Sequence, residues 1–207
     1  MRTDGPIGSE GDALQQAKRE LRREMRARLR ACPGLERVRC SLEVCDRLRR
    51  WRRWREASAV FLFAPMPEEV DIWPLVEEAL REGKAVALPR HDPVADAFLP
   101  VRVCDGASDV VLGAFGIREP QAGCAVFPPN QLDLTLLSGL AFAHDGRRLG
   151  RGKGYYDRLL PGVSGAHCGV AMDWQVRPSI PAGAQDWNVH YVVTPGRWYG
   201  AVAAEEA

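Results

Sequence analysis

The sequence predicts an α/β protein with a mostly parallel central sheet and a basic N-terminal helical hairpin, on three observations. Apolar residues recur at helical spacing in two stretches near the N-terminus, short apolar runs rich in β-branched residues follow, and an amphipathic helical pattern separates the first two runs. Strand, helix, strand in that order is the βαβ unit of a parallel sheet. The chain has 207 residues, enough to bury one sizeable core, and 46% hydrophobic against 27% charged residues excludes a disordered chain.

Residues 1–11 hold Gly5, Pro6, Gly8 and Gly11 among polar residues and read as a flexible tail. Leu14, Ala17, Leu21, Met25 and Leu29 follow helical spacing, and Pro33-Gly34 stops the run near Cys32. Leu35, Val38, Leu42, Cys45 and Leu48 set the apolar face of a second helix reaching Trp51 or Trp54. Buried strands are expected at residues 59–63, 85–88, 134–137, 168–171 and 191–193, with a helix through Trp73, Leu75, Val76 and Leu80 ended by Gly83. Residues 92–129, with five prolines, suggest a small meander or long loops beside the sheet. One domain over residues 12–200 and a C-terminal tail at 201–207 complete the expected organisation.

Charge is uneven. From Ala17 to Arg55 fifteen Lys or Arg face five Asp or Glu, so a cationic hairpin is joined to an acidic body. Phosphates, nucleic acid or an anionic small molecule suit such a face, and so does plain solvent. The six cysteines form no CxxC pair and no zinc spacing, so reduced thiols are expected. No run reaches the roughly 18 apolar residues of a membrane span, and no apolar signal segment follows the polar N-terminus. A cytoplasmic location is the expectation.

The segment that carries chemistry is residues 146–160. Glycines at 146, 150, 152 and 154 permit positive φ and clear side chains from amide groups facing an anion, while Arg148, Arg151 and Lys153 add charge. A helix starting near Tyr155 adds the positive end of its dipole. The spacing is neither a Walker A pattern nor the dinucleotide fingerprint. A basic turn before a helix is the plain alternative.

This segment, with Leu132-Asp133-Leu134 and Gly139-Leu140-Ala141-Phe142 before it, closely resembles the signature of the 5-formyltetrahydrofolate cyclo-ligase family. The resemblance extends to Lys18-Arg19-Glu20-Leu21-Arg22, Glu69-Val70-Asp71, the strand from Gly83 to Pro89, the turn from Gly116 to Pro120, and Gln185-Asp186 to Thr194. It implies a three-layer α/β/α fold and ATP-dependent closure of 5-formyltetrahydrofolate to 5,10-methenyltetrahydrofolate, with Mg²⁺ assistance and release of ADP and phosphate. Carried over by residue, it implies ATP contacts from Lys18, Arg19, Leu21, Arg22, Arg148, Gly150, Arg151, Gly152, Lys153, Gly154, Tyr155 and Tyr156. Folate contacts would come from Arg22, Ala64, Glu69, Arg151, Gly152, Lys153, Gly154 and Tyr155. Arg151, Lys153 and Tyr155 would do the catalytic work, and Asp157 and Asp186 would hold Mg²⁺. The partner expected is a reduced formyl folate, with or without a polyglutamate tail, bound by a monomer without nucleic acid or membrane. Trp174 reads as core or as a stacking ring. Ser138, Ala143 and His190 depart from the family's usual residues. Two alternatives stand beside this reading: a nucleic-acid-binding protein using the hairpin, and a diverged paralogue acting on another substrate.

Overall fold

The computed structural model describes residues 7–113 and 116–200. The first helix, α1 (Ile7–Ala31), begins inside the stretch expected to be tail; residues 1–6 and 201–207, expected as tails, lie outside the described residues. Then come α2 (Gly34–Arg50), α3 (Arg52–Glu56), β1 (Ala59–Phe61), α4 (Trp73–Arg81), β2 (Ala85–Asp92) and β3 (Ala97–Val103). A hairpin of β4 (Val110–Leu112) and β5 (Arg118–Pro120) precedes β6 (Leu134–Leu137), β7 (Ala141–Ala143), β8 (Arg148–Leu149) and the short α5 (Tyr155–Leu159). The chain ends in β9 (Ala166–Val170), β10 (Val176–Arg177), β11 (Tyr191–Val193) and β12 (Trp198–Gly200).

Seven strands form the main sheet in the order β12-β11-β9-β6-β1-β2-β3. The five central strands run parallel, and each edge carries one antiparallel strand, β3 against β2 and β12 against β11. The five expected strands are all present. What the sequence left open is the edge: Ala97–Val103, read as loop or meander, is a full strand of the main sheet, its Pro100 opposite Pro89 in register. Proline is tolerated there because the pair lies beside an edge, where fewer ladder donors are required.

Alternation along the strands assigns two faces. Val60, Val86, Leu134, Leu136, Cys168, Val170 and Val193 pack with Met25, Leu29, Val44, Leu48, Trp54 and Ile72 from the helical side. Phe61, Ala87, Phe127, Leu132 and Val163 pack on the other face beside α5. The three layers are therefore unequal, with four helices on one face and a thin cover on the other. The second helix buries Cys45 and Leu48 of the expected stripe together with Cys40, Ser41 and Val44, while the other three expected positions, Leu35, Val38 and Leu42, are exposed. Both stripes repeat every three to four residues, so periodicity alone did not separate them. In α1, Ala17 is exposed and Lys18 is buried, because Lys18 has an ionic partner.

The topology places the site. From β1 the chain moves to β2 on one side and later to β6 on the other, so β1 and β6 form the switch point of the sheet, where ligands bind beyond the carboxyl ends of strands. On β9, the strand paired with β6, His167 is 2% exposed, and its Nδ1 accepts from Trp187 Nε1 at 3.1 Å. The His167 amide donates to His190 Nδ1 at 2.9 Å. Burial first, then the neighbouring His190, pushes the His167 imidazole down to about 4. Between about pH 4 and the ordinary value near 6.5 the unfolded chain therefore binds a proton that the folded chain refuses, and stability falls as pH falls through that window. The expected loss at this site is at most about 3 kcal/mol. Denaturant titrations from pH 7 to pH 4 check it: His167→Gln should decline less steeply than the parent, with a residual slope from His190, whose imidazole is also lowered by burial. Parallel curves would remove His167 as the cause.

Candidate active site

The strand β8 delivers Arg148 and Leu149 into a loop with glycines at 150, 152 and 154, of which Gly152 holds φ +106° and Gly154 holds φ +69° at the start of α5. Those two positions are left-handed, so a side chain there would strain the turn. With only five residues, α5 offers less dipole than expected, and side-chain cations supply most of the charge.

Helix α1 runs along this loop. Lys18 Nζ is 2.5 Å from Asp186 Oδ2, Arg22 Nε donates to the Gly150 carbonyl at 3.1 Å, and Arg26 Nη2 donates to the Arg151 carbonyl at 2.7 Å. Burial, and after it the charge of Arg26, lowers the proton affinity of the Arg22 guanidinium, which marks a place where an anion would be welcome. Below the loop Arg148 is buried, its Nη2 2.8 Å from Asp157 Oδ1, its guanidinium 5.4 Å from the Tyr156 ring centre, and its Nε without a hydrogen-bond partner. Burial pushes the Tyr156 hydroxyl up, so that ring stays neutral.

Two clefts meet at the loop. One, of about 540 Å³, is lined by Lys18, Arg22, Gly152, Arg158 and Asp186. The other, of about 800 Å³, is lined by Arg148, Arg151, Lys153, Tyr155 and Tyr156 together with Met66, His91 and Phe98. Gly150, Gly154 and Asp157 line both. In the larger cleft Tyr155 sits 4.7 Å from the Phe98 ring and 5.0 Å from the His91 ring, and its hydroxyl donates to Asp96 Oδ1 at 3.1 Å. The Arg151 guanidinium is fastened to Glu69 Oε1 at 2.8 Å and to Glu68 Oε1 at 3.1 Å, while Glu69 Oε2 accepts the Met66 amide. Burial works against the Arg151 charge, but Glu69 and then Glu68 outweigh it and raise its proton affinity.

The structure thus brings most of the sequence-derived candidates to one wall, divided between its sides. Lys18, Arg22, Gly152 and Asp186 lie on the small cleft, whereas Arg148, Arg151, Lys153, Tyr155 and Tyr156 lie on the large one. Four candidates line neither. Arg19 is exposed and bonds Gln16 Oε1, Leu21 is core, Ala64 is buried, and Glu69 reaches the cleft only through Arg151. Trp174 likewise lines neither; it packs on the core under Arg28, 4.6 Å from its ring centre. Sequence reasoning missed His91, Asp96 and Phe98 because they sit on the β2–β3 hairpin, and it missed Arg26, although Arg26 continues the four-residue spacing of Lys18 and Arg22.

A switch-point α/β sheet with an anion-suited cleft and an aromatic cleft meeting at one glycine-rich loop suits an enzyme that holds two ligands against a common wall. The chain belongs to the 5-formyltetrahydrofolate cyclo-ligase family, whose sequence model matches residues 14–195, and it is a ligase. It is 30% identical over 191 residues to the 5-formyltetrahydrofolate cyclo-ligase of Mus musculus, covering 87% of this chain and 94% of that protein. With the 5-formyltetrahydrofolate cyclo-ligase of Escherichia coli (strain K12) it shares 32% identity over 145 residues, 68% of this chain and 80% of the other. The NMR structure of Aquifex aeolicus 5,10-methenyltetrahydrofolate synthetase superposes with a TM-score of 0.80 at 36% identity, covering 88% of this chain and 92% of that one. The resemblance carried by the glycine-rich segment is thereby confirmed.

Proposed function

We propose that the chain closes 5-formyltetrahydrofolate to 5,10-methenyltetrahydrofolate through a phosphorylated formyl oxygen, with ADP and phosphate released. The supporting observation is that the two clefts share Gly150, Gly154 and Asp157, so a triphosphate on one side abuts a flat heterocycle on the other. The formyl oxygen attacks the γ-phosphorus as the bond to ADP breaks. The second folate nitrogen then attacks the formyl carbon, gives up its proton, and phosphate departs with the former formyl oxygen.

The residues divide the work accordingly. Lys18 and Arg22 take phosphate oxygens, one as a point charge and the other as a planar fork. The loop amides face the transferring group, where fixed donors act without reorganising. Tyr155, Phe98 and His91 form a slot for the pterin and its aryl group. Arg151, aimed by Glu69, offers its charge to the formyl oxygen from the folate side. Glu69 itself is engaged on both oxygens, so its part is to orient Arg151.

Asp157 and Asp186 suit Mg²⁺: both line the phosphate-side cleft, and Asp157 Oδ2 and Asp186 Oδ1 stand outside the bonds to Arg148, Trp187, Lys18 and Gly183. Among the described residues no group of three or more metal-binding side chains forms, so phosphate oxygens and waters would complete the shell. When bound, the ion neutralises phosphate charge.

Absorbance of the methenyl product checks the assignment. Product should appear only with ATP and a divalent metal, at one ATP per turnover, and none at micromolar enzyme would sink it. Arg151→Ala should lose roughly ten- to a hundredfold in kcat/KM, as one charge-assisted contact of about 1.5–3 kcal/mol implies, whereas Arg147→Ala should change little because Arg147 pairs with Asp145 and lines neither cleft. Equal losses would refute the division of roles. Asp157→Asn should raise the Mg²⁺ needed for half-maximal rate; an unchanged metal curve with a lowered melting temperature would make Asp157 only the partner of Arg148.

A further inference from the structure

Lys18, Arg22 and Arg26 recur at every fourth residue and so form one stripe along α1. Lys18 and Arg22 face the phosphate-side cleft, and Arg26 alone of the three lines the aromatic cleft. Its bond to the Arg151 carbonyl, at 2.7 Å, is the stripe's last contact with the loop. Arg151 stands between Gly150 and Gly152, and Gly152 is in the left-handed region, so the peptide of Arg151 has little intrinsic stiffness. Two tethers from outside the loop hold this residue at opposite ends. Glu68 and Glu69 hold the guanidinium from the segment after β1, and Arg26 holds the carbonyl from α1.

A guanidinium tied to flexible glycines at its base is aimed only as well as its base is fixed. Loss of the carboxylate tether frees the head of Arg151, and loss of the Arg26 tether frees its base. We propose that Arg26 is a positioning residue for the reaction, fixing the Arg151 peptide so that the Arg151 guanidinium meets the formyl oxygen in the aromatic cleft. The kinetic part of this inference rests on the proposed function; the effect on the loop does not.

Two readouts test it together. In Arg26→Ala, kcat should fall about tenfold and KM for the formyl folate should rise, while KM for ATP stays within about twofold, because the bond lost is on the folate side. Trypsin cleavage after Arg151, followed by mass spectrometry under native conditions, should speed up about tenfold as the loop loosens. Arg26→Lys keeps a donor and the charge and should recover most of both. The control Arg23→Ala removes the same charge from an exposed position of α1 and should match the parent. Should the alanine variant melt early, Arg26→Gln repeats both measurements with less loss of bulk. An unchanged tryptic rate, an equal effect in Arg23→Ala, or a rise in KM for ATP as large as that for folate would overturn the assignment. A parent enzyme without turnover would instead defeat the proposed function and leave the proteolysis to decide on Arg26.

Discussion

A loop with glycine at 150, 152 and 154 cannot hold its own shape, and the active-site wall depends on what holds it from outside. The stripe of Lys18, Arg22 and Arg26 does so, two of its members bonding loop carbonyls and the third pairing with Asp186 across the cleft. This explains why α1 carries charge on its inner face. Leu21, Met25 and Leu29 seat the helix in the core one step around from the stripe, so the packing that buries α1 also sets the height of its cations above the loop. The left-handed glycines are needed because the loop turns between cations that approach it from α1 and from β8.

The ion pairs of the site are poor candidates for stability alone. Lys18 and Arg148 are nearly buried, and taking such charges out of water costs about what their carboxylate partners return. Their value lies in readiness. Each cation stands beside the small cleft or the shared wall with its charge already balanced, so under the proposed function an arriving triphosphate would find an ordered arrangement and spend little on rearranging it. The same carboxylates that balance Lys18 and Arg148 are the two on which the proposed function relies for Mg²⁺, and each keeps one oxygen outside these pairs. Under that proposal two carboxylates would share the ion with phosphate oxygens and water.

Much of this was legible in the sequence, for identifiable reasons. Strands buried on both faces are plain apolar runs, and all five central strands were found that way. The glycine-rich loop and its cations were legible because function required residue types that packing does not. Ala97–Val103 was not, since an edge strand with a proline in it lacks the apolar run of a central one. Without that strand the β2–β3 hairpin was not seen, and with it went His91, Asp96 and Phe98, the residues against which Tyr155 packs at the aromatic cleft. The buried face of α2 was right at Cys45 and Leu48 and wrong in its first half for another reason: Leu35, Val38 and Leu42 are as apolar as the core positions and differ only in what the fold offers them. Glu69 was found but its mode was not, because an acid's partner across 82 residues leaves no local trace.

The positions that depart from the family's usual residues fall where the geometry makes most of them harmless to the ligands. Ala143 is buried at the end of β7, where its backbone pairs with β10 on the side of the small sheet. His190 belongs to the His167 pair on the opposite flank of β9, and neither residue lines either cleft. Only Ser138 stands in the site. It follows β6 at the switch point, lines the aromatic cleft, and offers its carbonyl to Arg148 Nη1 at 3.5 Å. The contact is made by the backbone carbonyl, so it does not depend on which side chain stands at position 138. Of the three departures, Ser138 alone therefore stands where it could bear on a ligand, in the cleft that Arg148, the glycine-rich loop and Arg26 of α1 also line.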